Sequence, residues 1–319
     1  MIRKFFALAV SAAASCGAAL AGPFSIDFIT APSATSTQFW DINDAGTVVG
    51  NTDTDAFTYA GGSFTTLTGP AGASGMSALG ISDAGTVVGS YADAGTGTTR
   101  GYIYDGSTYE TFDIPGADET RLRGISPDGN IVTGYYTDAS NLAQGFILDR
   151  TTNVVTLIGA GGLVTNPGEA FTIVQGVNSS GVVVGSDLIV TPTFALDRPA
   201  FTFDIGTSTR VDFNLPGALR TAGRGINDFG SIAGWFIDGS GKTMGYAGYP
   251  GSTTTFDLIA SGSTFVQGNN NAETVVGFIQ DEQGVLTAFI GTKTVSEPAG
   301  LMVIGVFAIA LGGLARRRA

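Results

Sequence analysis

The chain has 319 residues, 48 of them glycine, with 13% charged, 43% hydrophobic and 10% aromatic side chains, a balance suited to many short strands joined by tight turns around a real core. It has no histidine and a single cysteine, Cys16, which leaves no His general base, no Ser-His or Cys-His nucleophile pair and no Cys or His metal site. Between the termini, 26 acidic and ten basic residues give −16, a surface that repels phosphate backbones and makes nucleic acid an unexpected partner; no cofactor and no resident metal are expected.

Residues 1–21 read as a signal peptide. Arg3 and Lys4 precede an apolar run from Phe5 to Ala14, and Ala19-Leu20-Ala21 forms a small-residue cleavage site. Signal peptidase is expected to cut between Ala21 and Gly22. The apolar run is short for a membrane span.

The body, 22–295, repeats itself. A core of the form G-I-N-D-x-G-x-V-V-G occupies 41–50, 80–89, 124–134 (with one inserted residue), 176–185, 225–234 and 268–277. Each core predicts a β-hairpin: a short apolar strand, an Asx-Gly turn, then a β-branched strand. An aromatic third strand follows, as at Ala56-Phe57-Thr58-Tyr59 and Ala200-Phe201-Thr202-Phe203. A fourth follows that, as at Thr111-Phe112-Asp113-Ile114 and Val154-Val155-Thr156-Leu157. Four antiparallel strands in about 45 residues is the size of a propeller blade. The sixth unit lacks a clear fourth strand, whereas Phe24-Ser25-Ile26-Asp27-Phe28-Ile29 has the fourth-strand pattern ahead of the first unit. The predicted fold is therefore all-β, a six-bladed β-propeller closed by its N-terminal strand. In the rival open array, Thr292-Lys293-Thr294-Val295 would be the sixth unit's own fourth strand and the N-terminal strand would be an edge.

After Ser296-Glu297-Pro298, residues 299–315 carry no charge, and Arg316-Arg317-Arg318 follow. This predicts a single hydrophobic helix at the short end of bilayer-spanning length, with its arginines on the cytoplasmic side. The segment resembles the PEP-CTERM sorting signal of Gram-negative bacteria, with Ser296 where the first Pro of that motif is usual. The resemblance implies an exosortase-like sorting enzyme as a partner, processing around Ser296, Glu297 and Pro298, and a membrane tether that precedes release to the outer envelope or the medium.

The repeats resemble the HAF-repeat family of extracellular bacterial proteins, through the G-I-N-D-x-G-x-V-V-G core and the aromatic third strand. The family's His-Ala-Phe stands here as Asp55-Ala56-Phe57, Pro199-Ala200-Phe201 and Thr287-Ala288-Phe289. The resemblance implies surface location and a propeller-like fold and brings no defined reaction. No role tied to the missing histidine carries over.

Three sets of residues are candidates for chemistry. Asp44, Asp83 and Asp228, the acids of the N-D-x-G turns, read as caps of their own turns. Asn51, Asp53 and Asp55 alternate oxygen ligands as calcium loops do, but Ala56 and Gly62 stand where an EF-hand needs Gly and Glu, so a solvated loop is expected. Arg121, Arg123, Arg220 and Arg224 fall in two equivalent segments that lead from a fourth strand to the next first strand. Arg123 and Arg224 share one repeat position with Trp40, Leu79, Gln175 and Gln267. In a propeller this position predicts a polar ring near the channel mouth, suited to the carboxylate or sulfate groups of a glycan. No catalytic residue stands out. The expected protein is an exported, non-enzymatic surface or matrix protein that contacts extracellular polysaccharide or a protein partner. The alternative is a secreted carbohydrate-active enzyme, a glycosidase or lyase, which would need two carboxylates in one pocket.

Overall fold

The computed structural model describes residues 23–294, apart from 138–142, 160–169, 191–195 and 198. The signal peptide, its cleavage site Ala21/Gly22, and the tail with Ser296, Glu297 and Pro298 lie outside the described residues. Among those described, no helix is long and apolar enough to cross a membrane.

Among the described residues all regular structure is strand. β1 (Phe24–Ile29) precedes the first repeat, which forms β2 (Thr37–Ile42), β3 (Val48–Thr52), β4 (Ala56–Ala60) and β5 (Ser63–Thr66). The second forms β6 (Ala73–Ile81), β7 (Val87–Asp93), β8 (Thr99–Tyr104) and β9 (Tyr109–Phe112). The third forms β10 (Glu119–Ile125), β11 (Ile131–Thr137), β12 (Ala143–Asp149) and β13 (Val154–Ile158). The fourth forms β14 (Ala170–Val177), β15 (Val182–Val190), β16 (Leu196–Asp197), β17 (Ala200–Asp204) and β18 (Thr209–Phe213). The fifth forms β19 (Arg220–Ile226), β20 (Ile232–Ile237), β21 (Thr243–Tyr249) and β22 (Ser252–Phe256), and the sixth β23 (Gly262–Asn269), β24 (Val275–Asp281) and β25 (Leu286–Lys293).

Each repeat is an antiparallel meander, and together they make an all-β propeller. The separate four-stranded sheets expected for every repeat do not all occur: hydrogen bonding gives five sheets. β6–β9 and β10–β13 merge into one eight-stranded sheet through a single parallel pair, Glu119 with Thr99. The fourth repeat has a fifth strand, because the short β16 pairs with β15. β1 pairs antiparallel with β25, from Phe24 opposite Lys293 to Ile29 opposite Ala288. Thr292 and Lys293 therefore belong to the sixth repeat's third strand and do not form a fourth.

The repeated residues have steric reasons. The last Gly of each V-V-G lies opposite the aromatic residue of the third strand, as Gly50 opposite Phe57 and Gly185 opposite Phe201. A methyl group at Gly50 would come within 2.6 Å of the Phe57 ring. The paired rings Phe57, Tyr102, Phe146, Phe201, Tyr246 and Phe289 are all buried and form the cores between neighbouring repeats.

The turns bind the ring together in a way that corrects the expected role of their acids. The Asn caps its own turn: Asn43 Oδ1 accepts from the Thr47 amide at 2.9 Å. The Asp instead reaches the neighbouring turn. Asp83 Oδ1 accepts from the Asp44 amide (3.0 Å), Asp228 Oδ1 from Ser179 (2.8 Å) and Asp44 Oδ1 from Asn271 (2.8 Å). The Asn amides add carbonyl contacts in the same direction: Asn43 Nδ2 to Ser82, Asn178 to Asn227, Asn227 to Asn270, and Asn270 back to Asn43 across 227 positions.

Candidate functional site

The innermost strands β2, β6, β10, β14, β19 and β23 approach one another closely around the axis. Gly80 would meet the Gly124 Cα at 2.9 Å if it carried a Cβ, Gly225 the Gly268 Cα at 3.0 Å, and Gly268 the Asp41 Cα at 2.9 Å. The residue before each of these positions is Trp40, Leu79, Arg123, Gln175, Arg224 or Gln267. In every innermost strand the pairing register shifts at that residue: between Phe39 and Asp41, Ala78 and Gly80, Leu122 and Gly124, Val174 and Val177, Gly223 and Gly225, and Val266 and Gly268. A β-bulge leaves one residue unpaired and re-aims its side chain. Here six such residues line one cavity of about 30 Å³ at one end of the axis.

The ring expected from the repeat register thus exists for Trp40, Arg123, Gln175, Arg224 and Gln267, joined by Leu79. Arg121 and Arg220 do not line it. Arg121 Nε pairs with Glu119 at 3.2 Å on the half-exposed outer part of β10. Arg220 lies over the Trp235 ring at 4.6 Å. All four arginines sit within β10 and β19, so the segments taken for connections are strands. The ring also encloses far less space than a glycan-sized mouth. One water needs about 10–15 Å³ of such volume, so the cavity holds about two water-sized atoms.

The site is positively charged in an acidic protein. Arg123 Nε donates to Gln175 Oε1 at 2.9 Å, and its guanidinium lies 5.5 Å from the Trp40 ring centre. Arg224 lies 5.6 Å from Trp235. Among the described residues, neither Arg123 nor Arg224 has a carboxylate within ion-pairing distance. Burial, together with the charges of Arg123 and Arg220, pulls the Arg224 guanidinium down to about 9. Burial also holds Arg123 below its ordinary value, and the Arg121 charge acts in the same direction. Trp40 Nε1, Gln175 Nε2 and Arg224 Nε are buried donors with no acceptor among the described residues, each a loss of about 1–3 kcal/mol if left so.

Sequence reasoning missed the row of packed rings behind the site, of which Trp40 alone lines the cavity. Trp40 meets Phe278 at 5.5 Å, Phe278 meets Phe265 at 5.0 Å, and Phe265 meets Trp235 at 5.6 Å. These four rings join the two tryptophans beneath the arginines. They come from β2, β24, β23 and β20, at a different repeat position from the buried core rings. The repeated core alone does not mark them.

Asp41 was also missed. It stands where the other five repeats have Gly, and that substitution was visible in the aligned cores. Its carboxylate accepts from the amides of Ile42 (2.9 Å) and Ile81 (3.1 Å). Burial pushes it up to about 7, and the Asp83 charge contributes. It lies between the arginine-lined cavity and a second one of about 40 Å³ at the turn end of the axis, bordered by Asp44, Asp83 and Asp228. The axis is thus cationic at one end and anionic at the other.

The Asn51, Asp53 and Asp55 oxygens do not converge. Asp53 Oδ2 accepts from the Thr35 and Ser36 amides at 2.7 and 3.1 Å, Asn51 Nδ2 donates to Met76 O at 2.8 Å, and Asp55 Oδ2 accepts from Thr54 Oγ1 at 2.6 Å. Among the described residues, no group of three or more acidic or cysteine side chains could hold a metal ion.

No family model and no curated protein sequence matches the chain. Solved structures do. TolB from Acinetobacter baumannii is 12% identical, with a TM-score of 0.50 over 81% of this chain and 64% of its own. A prolyl endopeptidase is 11% identical, with a TM-score of 0.51 over 84% of this chain and 42% of its own. The chain thus spans less than two thirds of either protein's length. A six-bladed fucose-recognising lectin from Aleuria aurantia is 14% identical, with a TM-score of 0.45 over 87% of this chain and 98% of its own. At such identities the first two likenesses show a shared propeller fold and nothing of function.

Proposed function

We propose that this protein is an exported, non-enzymatic surface or matrix protein whose arginine-bearing axial end binds extracellular polysaccharide. The observation that carries this reading is the convergence, on one end of an otherwise acidic ring, of two guanidiniums without carboxylate partners among the described residues, three unsatisfied donors and the Trp40 ring. Uncompensated charge at a half-buried position weakens a fold, so its presence points to a ligand. An aromatic face beside an arginine, as Trp40 beside Arg123, gives a sugar apolar area and hydrogen bonds together. Binding is favoured over cleavage because the arginine-lined cavity has one carboxylate at its edge, Asp41, and glycoside hydrolysis uses two.

In this proposal the ring has six blades. β6–β9 and β10–β13 count as separate blades, since they share one bridging pair, and β1 completes the last blade. The signal peptide directs export, and an exosortase-like enzyme processes the Ser296-Glu297-Pro298 tail after a period of membrane tethering. The test is retention of the host's extracellular polysaccharide by the immobilised protein, with sugar release followed in the same samples. Retention without release is the expected result, reduced at least tenfold when Arg123 and Arg224 are both replaced by Ala. Release of sugars would assign the protein to the carbohydrate-active enzymes, and absence of retention would remove polysaccharide as its partner.

A further inference from the structure

We infer that the axial cavity is a carboxylate site, and that it takes the carboxylate of a uronic-acid-type sugar; this rests on the polysaccharide reading above. The donors define the ligand. Gln175 is only 5% exposed, and its Oε1 is occupied by Arg123 Nε. That bond fixes the amide so that Nε2 is the group left over. Arg224 Nε and Trp40 Nε1 are the other two unfilled donors around the same cavity. The set contains donors alone, and two of the lining side chains are cationic, so the missing partner is an acceptor with negative charge.

Size narrows the class. A cavity of about 30 Å³ accommodates about two water-sized atoms, which matches the two oxygens of a carboxylate. A sulfate or phosphate would place two of its four oxygens outside a space of this size. A single halide would leave part of the donor set unfilled. Trp40, Arg123 and Arg224 are only half-buried, so a carboxylate can enter while the sugar ring that carries it stays at the mouth beside Trp40. The remaining wall, Leu79 and Gln267, is buried and adds no charge. Asp41 stands at the cavity's edge, where its oxygens accept the amides of Ile42 and Ile81 and none of the three donors.

The chain's two tryptophans, Trp40 and Trp235, are the rings beneath the arginines, so intrinsic fluorescence reads this site directly. The full-length protein in non-ionic detergent is titrated at constant ionic strength with sodium formate, sodium glucuronate, glucose, sodium chloride and sodium sulfate. Formate and glucuronate should give saturable emission changes and raise the melting temperature; glucose, chloride and sulfate should not. Arg224→Gln and Gln175→Leu should each weaken both carboxylates at least tenfold. Arg121→Gln, whose guanidinium pairs with Glu119 outside the cavity, should leave them unchanged. A flat response to formate, a chloride response as strong as that to formate, or formate binding without glucuronate binding would overturn the assignment, and these wild-type titrations decide it even if a variant fails to fold. Carboxylate binding without polysaccharide retention would sink the polysaccharide reading and leave the site. Retention without any carboxylate response would do the reverse.

Discussion

Replacing Asp41 by Asn should remove a fall in stability that the wild-type protein shows between pH 4 and pH 7. The carboxyl is raised from its ordinary 3.8 to about 7, chiefly by burial. Below pH 4 it is protonated in both the folded and the unfolded chain and contributes nothing to the difference. As the pH rises to 7 the unfolded chain ionises while the folded chain keeps its proton, so folding becomes progressively less favourable; above 7 the loss is complete. A tenfold change in protonation is worth about 1.4 kcal/mol, so the full difference amounts to about 4 kcal/mol. Asp41 keeps partial access to solvent, and screening reduces this to about 2 kcal/mol. The carboxylates of Asp105, Asp149 and Asp238 work in the opposite sense. Hydrogen bonds from Thr108, Thr151 and Ser240 hold them low, so their contribution exists above about pH 4 and is lost in stronger acid. The wild-type optimum therefore lies on the acid side of neutrality. Urea unfolding at half-unit intervals from pH 3.5 to 8 measures the slope directly. The slope, and not the absolute stability, is the readout, because Asn can satisfy only one of the two amides that Asp41 accepts. An Asp41→Asn protein that kept the wild-type slope between pH 4 and 7 would refute the account of a buried, uncompensated carboxyl at the axis.

Two further substitutions separate the roles within the repeat. Asn270→Ser keeps an acceptor for the Thr274 amide, as Ser82 does for Thr86 at 3.0 Å, but loses the amide bond to the Asn43 carbonyl that joins the last repeat to the first. It should cost about 1 kcal/mol, against about 2–3 kcal/mol for Asn270→Ala, which also removes the cap; equal urea midpoints for the two variants would contradict this division. Gly124→Ala should destabilise by more than 3 kcal/mol or prevent folding, since its methyl group would overlap the Gln175 carbonyl and the Thr133 hydroxyl at 2.8 Å. Gly46→Ala, at φ 80° with open space around it, should cost only about 1 kcal/mol; melting temperatures of the two variants provide the comparison.

Much of the architecture was legible because the repeat writes the same local rules several times. The Asx-Gly turns, the β-branched second strand and the aromatic third strand each have a local cause, and β1 revealed itself by matching a pattern the sixth repeat lacked. What the sequence did not reveal depends on contacts between repeats. Nothing within a single N-D-x-G turn says that the Asp serves the neighbouring turn, because the recipient amide lies 39 to 49 positions away. The single Glu119–Thr99 bridge that fuses two sheets is likewise a matter of how two blades meet. Aligning the cores placed Arg123 and Arg224 at one repeat position, but only the bulges explain why that position faces the axis. The true size of the ring was not legible at all, since it is set by how closely the glycine rows approach.

That closeness explains why this one position varies most. After the bulge, five of the six innermost strands have a Gly held by backbone contact with the next strand (Asp41 replaces it in the first), four have an Ile held in a core cluster, and an Asn or Ser then caps the turn. Substitution at any of them disturbs a neighbour as well as its own repeat. The bulged residue before the Gly is unpaired in the ladder and borders a cavity, so Trp, Leu, Arg, Gln, Arg and Gln are all accommodated there without altering the strand. A repeat protein that constrains the positions after the bulge and lets the bulged one differ most from unit to unit has concentrated its chemical individuality at the axis. Arg123, Gln175 and Arg224 come from three successive repeats, so they make one continuous cationic arc; Trp40 closes it from across the cavity, where its ring lies 5.5 Å from the Arg123 guanidinium. The asymmetry of the ring, built from near-identical units, distinguishes this end of the axis from a uniform pore.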